Sequence, residues 1–356
     1  FVKSKFPDSK SDLFACFIEK CGQLAKPHGF YAMITQHAFM FLSSYENLRK
    51  KLMQKTTVNM AHLGARAFDE IGGEVVQTTA FVMTGHIKDY KGTYARLVDT
   101  VGENEKRDLF LSGDKRFAAK QENFSKIPGS PVAYWVSENF IRAFENGRLL
   151  GEIASSKQGI ATADNNRFLR EWYEVNVEKI LFDCSTHEES KTSPAKWYPY
   201  NKGGEFRKWY GNNDYVVNWQ YDGAELRNFK KSVIRNPNFY FMPCFSWSLI
   251  SSSVAAFRYK PKGHIFDVAG MSCFSNDKLH YLLALCNSSC AMKVLEVIAP
   301  TINYQCGDIA NIPVIIPDSD EVENHVKELV KDNIDSCKTD WDYYEVSWDF
   351  EKHPLI

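Results

Sequence analysis

The chain has 356 residues and a mass of 40.8 kDa, with 44% hydrophobic and 24% charged residues. That size and balance allow two or three sizeable cores and exclude a disordered or fibrous protein. Lys and Arg (43) nearly cancel Asp and Glu (44), so bulk charge alone points to no nucleic-acid or membrane partner. The nine cysteines are scattered and never form a C-x-x-C pair. Cys286 and Cys290 share a helical face without a histidine at ligand spacing, so reduced thiols and no metal are expected. No stretch reaches the roughly 18 apolar residues of a membrane span, and no signal peptide is present. A soluble, cytoplasmic chain is expected. The sequence begins at Phe1 rather than Met and opens directly on a helical pattern, which reads as a piece of a longer polypeptide.

Leu13, Phe14, Phe17, Ile18, Cys21 and Leu24 recur at helical spacing, and Pro27-His28-Gly29 ends that helix. Phe30 to Thr35 is an apolar run that predicts a buried strand. Ser43-x-x-Glu46 is a capping box opening a second helix through Leu48 and Leu52. Strands are predicted for Thr57–Leu63 and Val75–Met83, with Gly72-Gly73 turning between them. The strand–helix–strand order favours a parallel sheet covered by helices, with the closing antiparallel pair at its edge. No G-x-G-x-x-G or P-loop occurs, and three strands with two helices leave one sheet edge and face uncovered. Residues 86–130 are polar, with Gly, Lys and Asp turns. They read as an irregular excursion ending in the linker Pro128-Gly129-Ser130-Pro131.

A helix is predicted around Ser137–Asn146, followed by a Gly/Ser-rich region containing Lys157–Phe168. From Lys191 to Lys262 there are twelve Lys/Arg against four Asp/Glu, a local +8 hidden by the overall balance. Lys196, Lys202, Arg207, Lys208, Arg227, Lys230, Lys231 and Arg235 interleave there with Trp197, Tyr198, Tyr200, Trp209, Tyr210, Tyr215 and Trp219. Such a mixture suits phosphate contact with packing on sugar or base. It equally describes an aromatic β core with a basic rim. The glycines of 202–213 suggest a hairpin loop projecting from the domain, making Lys202, Arg207, Lys208, Tyr210, Asn212 and Asn213 the foremost DNA-facing candidates. Strands are predicted for Phe239–Ile250 and Val254–Tyr259, and a long helix for Asp277–Ile298 with a break near Asn287-Ser288-Ser289. An Asp318-x-x-Glu321 cap opens an amphipathic helix through Val322, Val326, Leu329, Val330 and Ile334. Asp318–Lys352 has twelve acidic residues against four basic, a local −8. That stretch is expected to be a solvated acidic face, away from DNA or against a basic surface.

Ser11–Lys20 (SDLFACFIEK), Gly29–Thr35 (GFYAMIT) and Phe39–Glu46 (FMFLSSYE) resemble the region just after the N-P-P-Y motif of adenine-specific DNA methyltransferases. Ala67–Glu74 (AFDEIGGE) and Asp340–Phe350 (DWDYYEVSWDF) extend the resemblance, nearest to the PglX methyltransferases of BREX phage-defence systems. Lys157–Phe168 (KQGIATADNNRF) resembles the glycine-containing loop that opens target-recognition domains, and Thr301–Pro313 the ending of such domains. The resemblance implies an α/β fold. Residues 1–130 would be the C-terminal half of a class I (Rossmann-like) methyltransferase sheet, 131–316 an α+β target-recognition domain, and 317–356 an acidic helical C-terminal segment.

The implied reaction is methyl transfer from S-adenosylmethionine to the exocyclic amine of a flipped adenine. Phe17 matches the family's cofactor-packing residue and Phe81 its aromatic that stacks on the flipped base. A Phe on the apolar side of a helix or strand is equally a core residue. Lys157, Gln158, Asn166 and Arg167 are the loop's DNA-binding candidates, since such loops offer amides and cations to phosphates and base edges. Double-stranded DNA is the implied partner, together with other proteins of the defence system. N-P-P-Y and the F-x-G-x-G cofactor loop are absent, and Asn236-Pro237-Asn238-Phe239 lies far downstream of the family position. Both motifs are expected upstream of Phe1, so this chain alone is not expected to methylate. A non-catalytic DNA-specificity subunit is the alternative, but it leaves the first hundred residues unexplained. A restriction–methylation fusion would need a PD…ExK nuclease pattern, and none is convincing here.

Overall fold

The computed structural model describes residues 1–70, 76–252 and 254–356. The chain divides into two units, Phe1–Asn146 and Gly147–Ile356. In the first, the elements are α1 (Val2–Lys5), α2 (Leu13–Leu24), β1 (Phe30–Gln36), α3 (Glu46–Leu52), β2 (Thr56–Gly64), β3 (Thr78–Thr84), β4 (Lys91–Arg96), α4 (Glu103–Ser112), β5 (Arg116–Lys120) and α5 (Glu138–Asn146). The Asp12 carboxylate caps α2 by accepting from the Phe14 amide at 3.4 Å. The expected Ser43 capping box does not form. Ser43–Tyr45 makes a 3₁₀ turn, and α3 starts at Glu46 without a side-chain cap.

The five strands lie in the order β1-β3-β2-β4-β5. β3 is antiparallel to both β1 and β2, and β4 is parallel to β2. β1, β2 and β4 therefore run the same way, as the helix crossover predicts. The closing strand, however, is inserted between β1 and β2 rather than at an edge. Its Thr78, Thr79, Phe81, Met83 and Thr84 are buried, which suits a central strand. The expected Val75 start and Gly72-Gly73 turn lie outside the described residues. The apolar run 30–35 is buried on one face only, because Phe30, Ala32 and Ile34 point outward.

Residues 86–130 are not irregular, since β4 and β5 extend the sheet there. Short strands carrying Lys91, Gly92 and Arg116 show no clean alternation, so their pairing is not visible locally. Nor is Pro128–Pro131 a domain linker. The buried Arg49 guanidinium donates to the Gly129 carbonyl at 2.6 and 2.9 Å, and to the carbonyls of Phe39 and Leu42 at 2.9 and 2.7 Å. The unit boundary consequently falls after Asn146 instead of 130.

The second unit contains β6 (Arg148–Leu149), α6 (Leu150–Ile153), β7 (Ser155–Lys157), α7 (Asn165–Phe168), β8 (Leu169–Glu171), α8 (His187–Thr192), β9 (Trp197–Asn201), β10 (Tyr215–Asn218) and α9 (Gln220–Asn228). It continues with β11 (Cys244–Ser246), β12 (Arg258–Lys260), β13 (Ile265–Phe266), β14 (Ser272–Phe274), α10 (Leu279–Asn287), α11 (Ser289–Ile298), α12 (Cys306–Ala310), β15 (Pro313–Val314) and α13 (Asp320–Asp342). Two four-stranded sheets, β13-β9-β10-β8 and β12-β11-β14-β7, accompany the small pair β15-β6. Tyr198, Tyr200, Trp219, Tyr240, Phe241, Phe266 and Phe274 help fill the main core, so the first five, which belong to the basic run, are interior. The strands expected at 239–250 and 254–259 shrink to three residues each.

The predicted break separates α10 from α11, which are bent by 72°. α13 is capped by Ser319 rather than Asp318. The acidic segment 317–356 is not separate, because it belongs to the second unit. Val346 accepts from Trp172 Nε1 at 2.8 Å, and Trp348 packs on Phe182. Among the described residues no single helix is long and apolar enough to cross a membrane.

Candidate functional sites

Because β1, β2 and β4 are co-directional, their carboxyl ends share one edge, where ligands bind in α/β sheets. That edge gathers His37, which follows β1, His62 near the end of β2, and Arg96 at the end of β4. His37 Nδ1 lies 2.8 Å from His62 Nε2, and His62 Nδ1 lies 3.2 Å from the Tyr134 hydroxyl. Each short contact needs one donor and one acceptor, so His37 and His62 are not both protonated. Burial holds His37 down to about 4 and His62 to about 3, the latter helped by His37, Arg96 and Lys106. The Arg96 guanidinium covers the Trp135 ring at 4.8 Å. Lys106, 3% exposed, donates to the carbonyls of Leu63, Leu97 and Thr100 at 2.6–2.8 Å. None of these residues is singled out by the sequence reading. Isolated histidines at strand ends carry no spacing signal, and only pairing across the sheet brings them together.

The two phenylalanines carried over from the family resemblance fare differently. Phe17 is 58% exposed on α2, close in sequence and exposure to Leu13 and Leu24. Phe81 sits mid-strand, 2% exposed, edge-on to Phe39 and Tyr31. Buried in this way, it presents no free face to a base. The exposed aromatic ring just beyond the carboxyl end of β2 is Phe68, 39% exposed.

In the second unit the 202–213 segment does not project. Lys202 pairs with the buried Asp267 at 2.8 Å, and Arg207 pairs with Asp340 at 3.1 Å while covering Trp341 at 4.9 Å. Lys208 donates to the Asn287 carbonyl at 2.8 Å. Tyr210, Asn212 and Asn213 are buried. The fully buried Lys260 ammonium anchors this segment by donating to the carbonyls of Gly211 and Asn212 at 2.9 Å and to Asn213 Oδ1 at 2.5 Å. Burial pulls its pKa down, to about 7. An acidic helix and a buried lysine hold this loop against the unit, so its three cations are internally engaged and three of the six candidates are buried.

The 157–168 loop is more open. Asn166 is exposed, as is Arg167, which pairs with Glu225 at 2.7 Å. Lys157 Nζ stands 5.3 Å from the Phe239 ring centre, and the Gln158 carbonyl accepts from Asn236 Nδ2 at 2.8 Å. Gly159 serves packing rather than phosphate approach, because a Cβ there would stand 1.8 Å from the Phe266 carbonyl oxygen. Across from this loop, Lys230, Lys231 and Arg235 were counted in the basic run without being marked as contacts. Their surroundings distinguish them, and their spacing does not.

Over 98% of its length the chain is similar in fold to part of a solved restriction-modification enzyme. Its TM-score to the Type IIL restriction-modification enzyme MmeI, solved in complex with DNA, is 0.60 at 12% identity, covering 48% of that chain. Residues 1–68 match the Eco57I restriction-modification methylase family. The whole chain is 42% identical to adenine-specific methyltransferase PglX of Lacticaseibacillus casei (strain Zhang) over 375 residues. It is also 42% identical to adenine-specific methyltransferase BrxX of Escherichia coli O9:H4 (strain HS) over 363 residues. The chain is therefore related along its entire length to the PglX and BrxX adenine-specific methyltransferases, and spans 30% and 29% of their lengths.

Proposed function

We propose that this chain is part of a site-specific DNA adenine methyltransferase acting in phage defence. In this reading residues 1–146 complete the catalytic sheet and 147–356 select the DNA site. The observation that carries it is 42% identity along the entire chain to two adenine-specific methyltransferases. The same identity favours a methyltransferase over a non-catalytic specificity subunit.

The first unit supports the reading in two ways. β1 pairs only with β3 among the described residues, and Leu13, Phe17, Leu24, Phe30 and Ile34 are exposed on α2 and β1. An apolar sheet edge of this kind is what further strands and helices of a doubly wound sheet would cover. The residues present make only an incomplete site for S-adenosylmethionine. Phe17 offers an exposed ring, and no glycine-rich loop occurs in the sequence. The cofactor would supply the methyl group; this chain's part is to pack on it through Phe17. A flipped adenine needs an exposed aromatic near the carboxyl edge of the sheet, and Phe68 meets that condition where Phe81 does not.

The test uses the full-length gene product, S-adenosylmethionine and duplex DNA, with N6-methyladenine measured by mass spectrometry of nucleosides. Methylated adenine is expected, and deletion of residues 147–356 is expected to abolish its site specificity. Absence of methylation, together with an upstream sequence lacking N-P-P-Y, would overturn the reading. Phe68→Ala is expected to lower methylation on the order of tenfold without unfolding the protein, since base stacking is worth about 1–3 kcal/mol. Phe81→Ala instead is expected to cost about 3–5 kcal/mol of stability, as a buried Phe truncation does.

A further inference from the structure

Most cations of the second unit are engaged internally. Arg167, Lys191, Lys202, Arg207, Arg227 and Lys262 all have carboxylate partners. Lys157, Lys230, Lys231 and Arg235 have none among the described residues.

Backbone pairing brings these four together. Ala161 and Val233 exchange N–H···O bonds of 3.0 and 2.9 Å, and Asn236 bonds Gln158. The 157–161 segment therefore runs antiparallel beside 233–239, with Lys157 against Phe239. Lys230 and Lys231 stand exposed in the turn after α9, which is pinned by Ser232 Oγ donating to the carbonyls of Leu226 and Phe229 at 2.5 and 2.9 Å. Arg235 is half-buried, and its Nη1 is a buried nitrogen without an acceptor. Residues 154–163 and 229–243 carry four cations and no carboxylate. Asp164 and Glu225, which flank these segments in sequence, are occupied by the Arg167 amide and the Arg167 guanidinium. The carbonyl end of α9 would attract one cation and does not account for four.

We infer that Lys157, Lys230, Lys231 and Arg235 form a phosphate-binding strip for the backbone of duplex DNA. This rests on the reading of residues 147–356 as a DNA-recognition module, and it moves the main contact away from 202–213. A set of unpaired cations on one pinned strand pair provides sequence-independent positioning on phosphates, with base reading left to other residues. Single-strand binders add exposed aromatic platforms. Here Phe229 and Phe239 are half-buried, and Tyr240 and Phe241 are buried, so the strip suits a duplex.

Fluorescence anisotropy of the full-length gene product with a labelled duplex, between about 50 and about 200 mM salt, tests this. In the triple variant K230A/K231A/R235Q the affinity is expected to fall on the order of tenfold or more. The slope of log affinity against log salt should shrink by about 3, close to 0.9 per lost phosphate contact. K230A/K231A alone, at two exposed side chains with no fold role, should shrink it by about 2. Wild-type binding with unchanged slopes in both variants overturns the strip and leaves the recognition reading intact. No binding by the wild type overturns that reading, and the strip with it. A single strand bound as tightly as the duplex overturns the duplex assignment.

Discussion

Two segments of the second unit look alike in sequence and are used in opposite ways. Residues 202–213 carry Lys202, Arg207 and Lys208, and residues 230–235 carry Lys230, Lys231 and Arg235. Every cation of the first has an internal partner, and Arg207 finds its carboxylate 133 positions away on α13. None of the second is in an ion pair among the described residues. A basic run in a sequence therefore measures charge and not surface potential, because the neutralising groups arrive from remote elements. The histidines of the first unit teach the same lesson. His37 and His62 are obvious titratable groups that the fold holds neutral against each other.

The strongest attempt to break this contrast is Lys260→Met. Methionine fills the same space but leaves the Gly211 and Asn212 carbonyls and Asn213 Oδ1 without their donor. A loss of roughly 3 kcal/mol is expected, in line with removing one member of a buried charged network. Urea unfolding of the chain measures it. A loss below about 1 kcal/mol would mean that the loop is not held as described, and that its cations are available to a ligand.

A smaller effect separates buried from free titratable groups by pH. His62 is neutral in the fold, while the unfolded chain takes up its proton near pH 6.5. Its contribution is thus present above about 6.5 and is lost as pH falls toward about 3, at about 1.4 kcal/mol per pH unit. His62→Gln should flatten that acid slope between about pH 6.5 and 5, as followed by denaturant midpoints. Equal slopes in the wild type and the variant would show that the ring is protonated without cost, and its neutral state in the fold would be wrong.

What the sequence made legible was local. The amphipathic spacing of Leu13 to Leu24 gave α2, and Asn287-Ser288-Ser289 marked the bend between α10 and α11. Motif order located the family, since relatedness covers the full chain. What stayed hidden depends on pairing between distant segments. The insertion of β3 between β1 and β2, the strands β4 and β5, and the wrapping of 317–356 onto its unit are all non-local. The burial of Phe81 is non-local too, because a strand's faces are covered by neighbours that the sequence does not name. Lys157 was marked and lies on the inferred strip. Its other members were indistinguishable, by composition, from the loop that folds inward.

The smallest expected effect is the sharpest control. Arg207→Gln removes a pair whose carboxylate is 60% exposed and a cation–π contact at 4.9 Å, together worth about 0.5–1 kcal/mol. Stability should fall by no more than that, and duplex affinity should stay within about twofold, because this cation contacts no phosphate in the proposed geometry. A shallower salt slope in Arg207→Gln would place residues 202–213 on DNA after all. The Asp340 contact would then be a resting state that phosphate displaces, and the two basic segments would differ in timing rather than in kind.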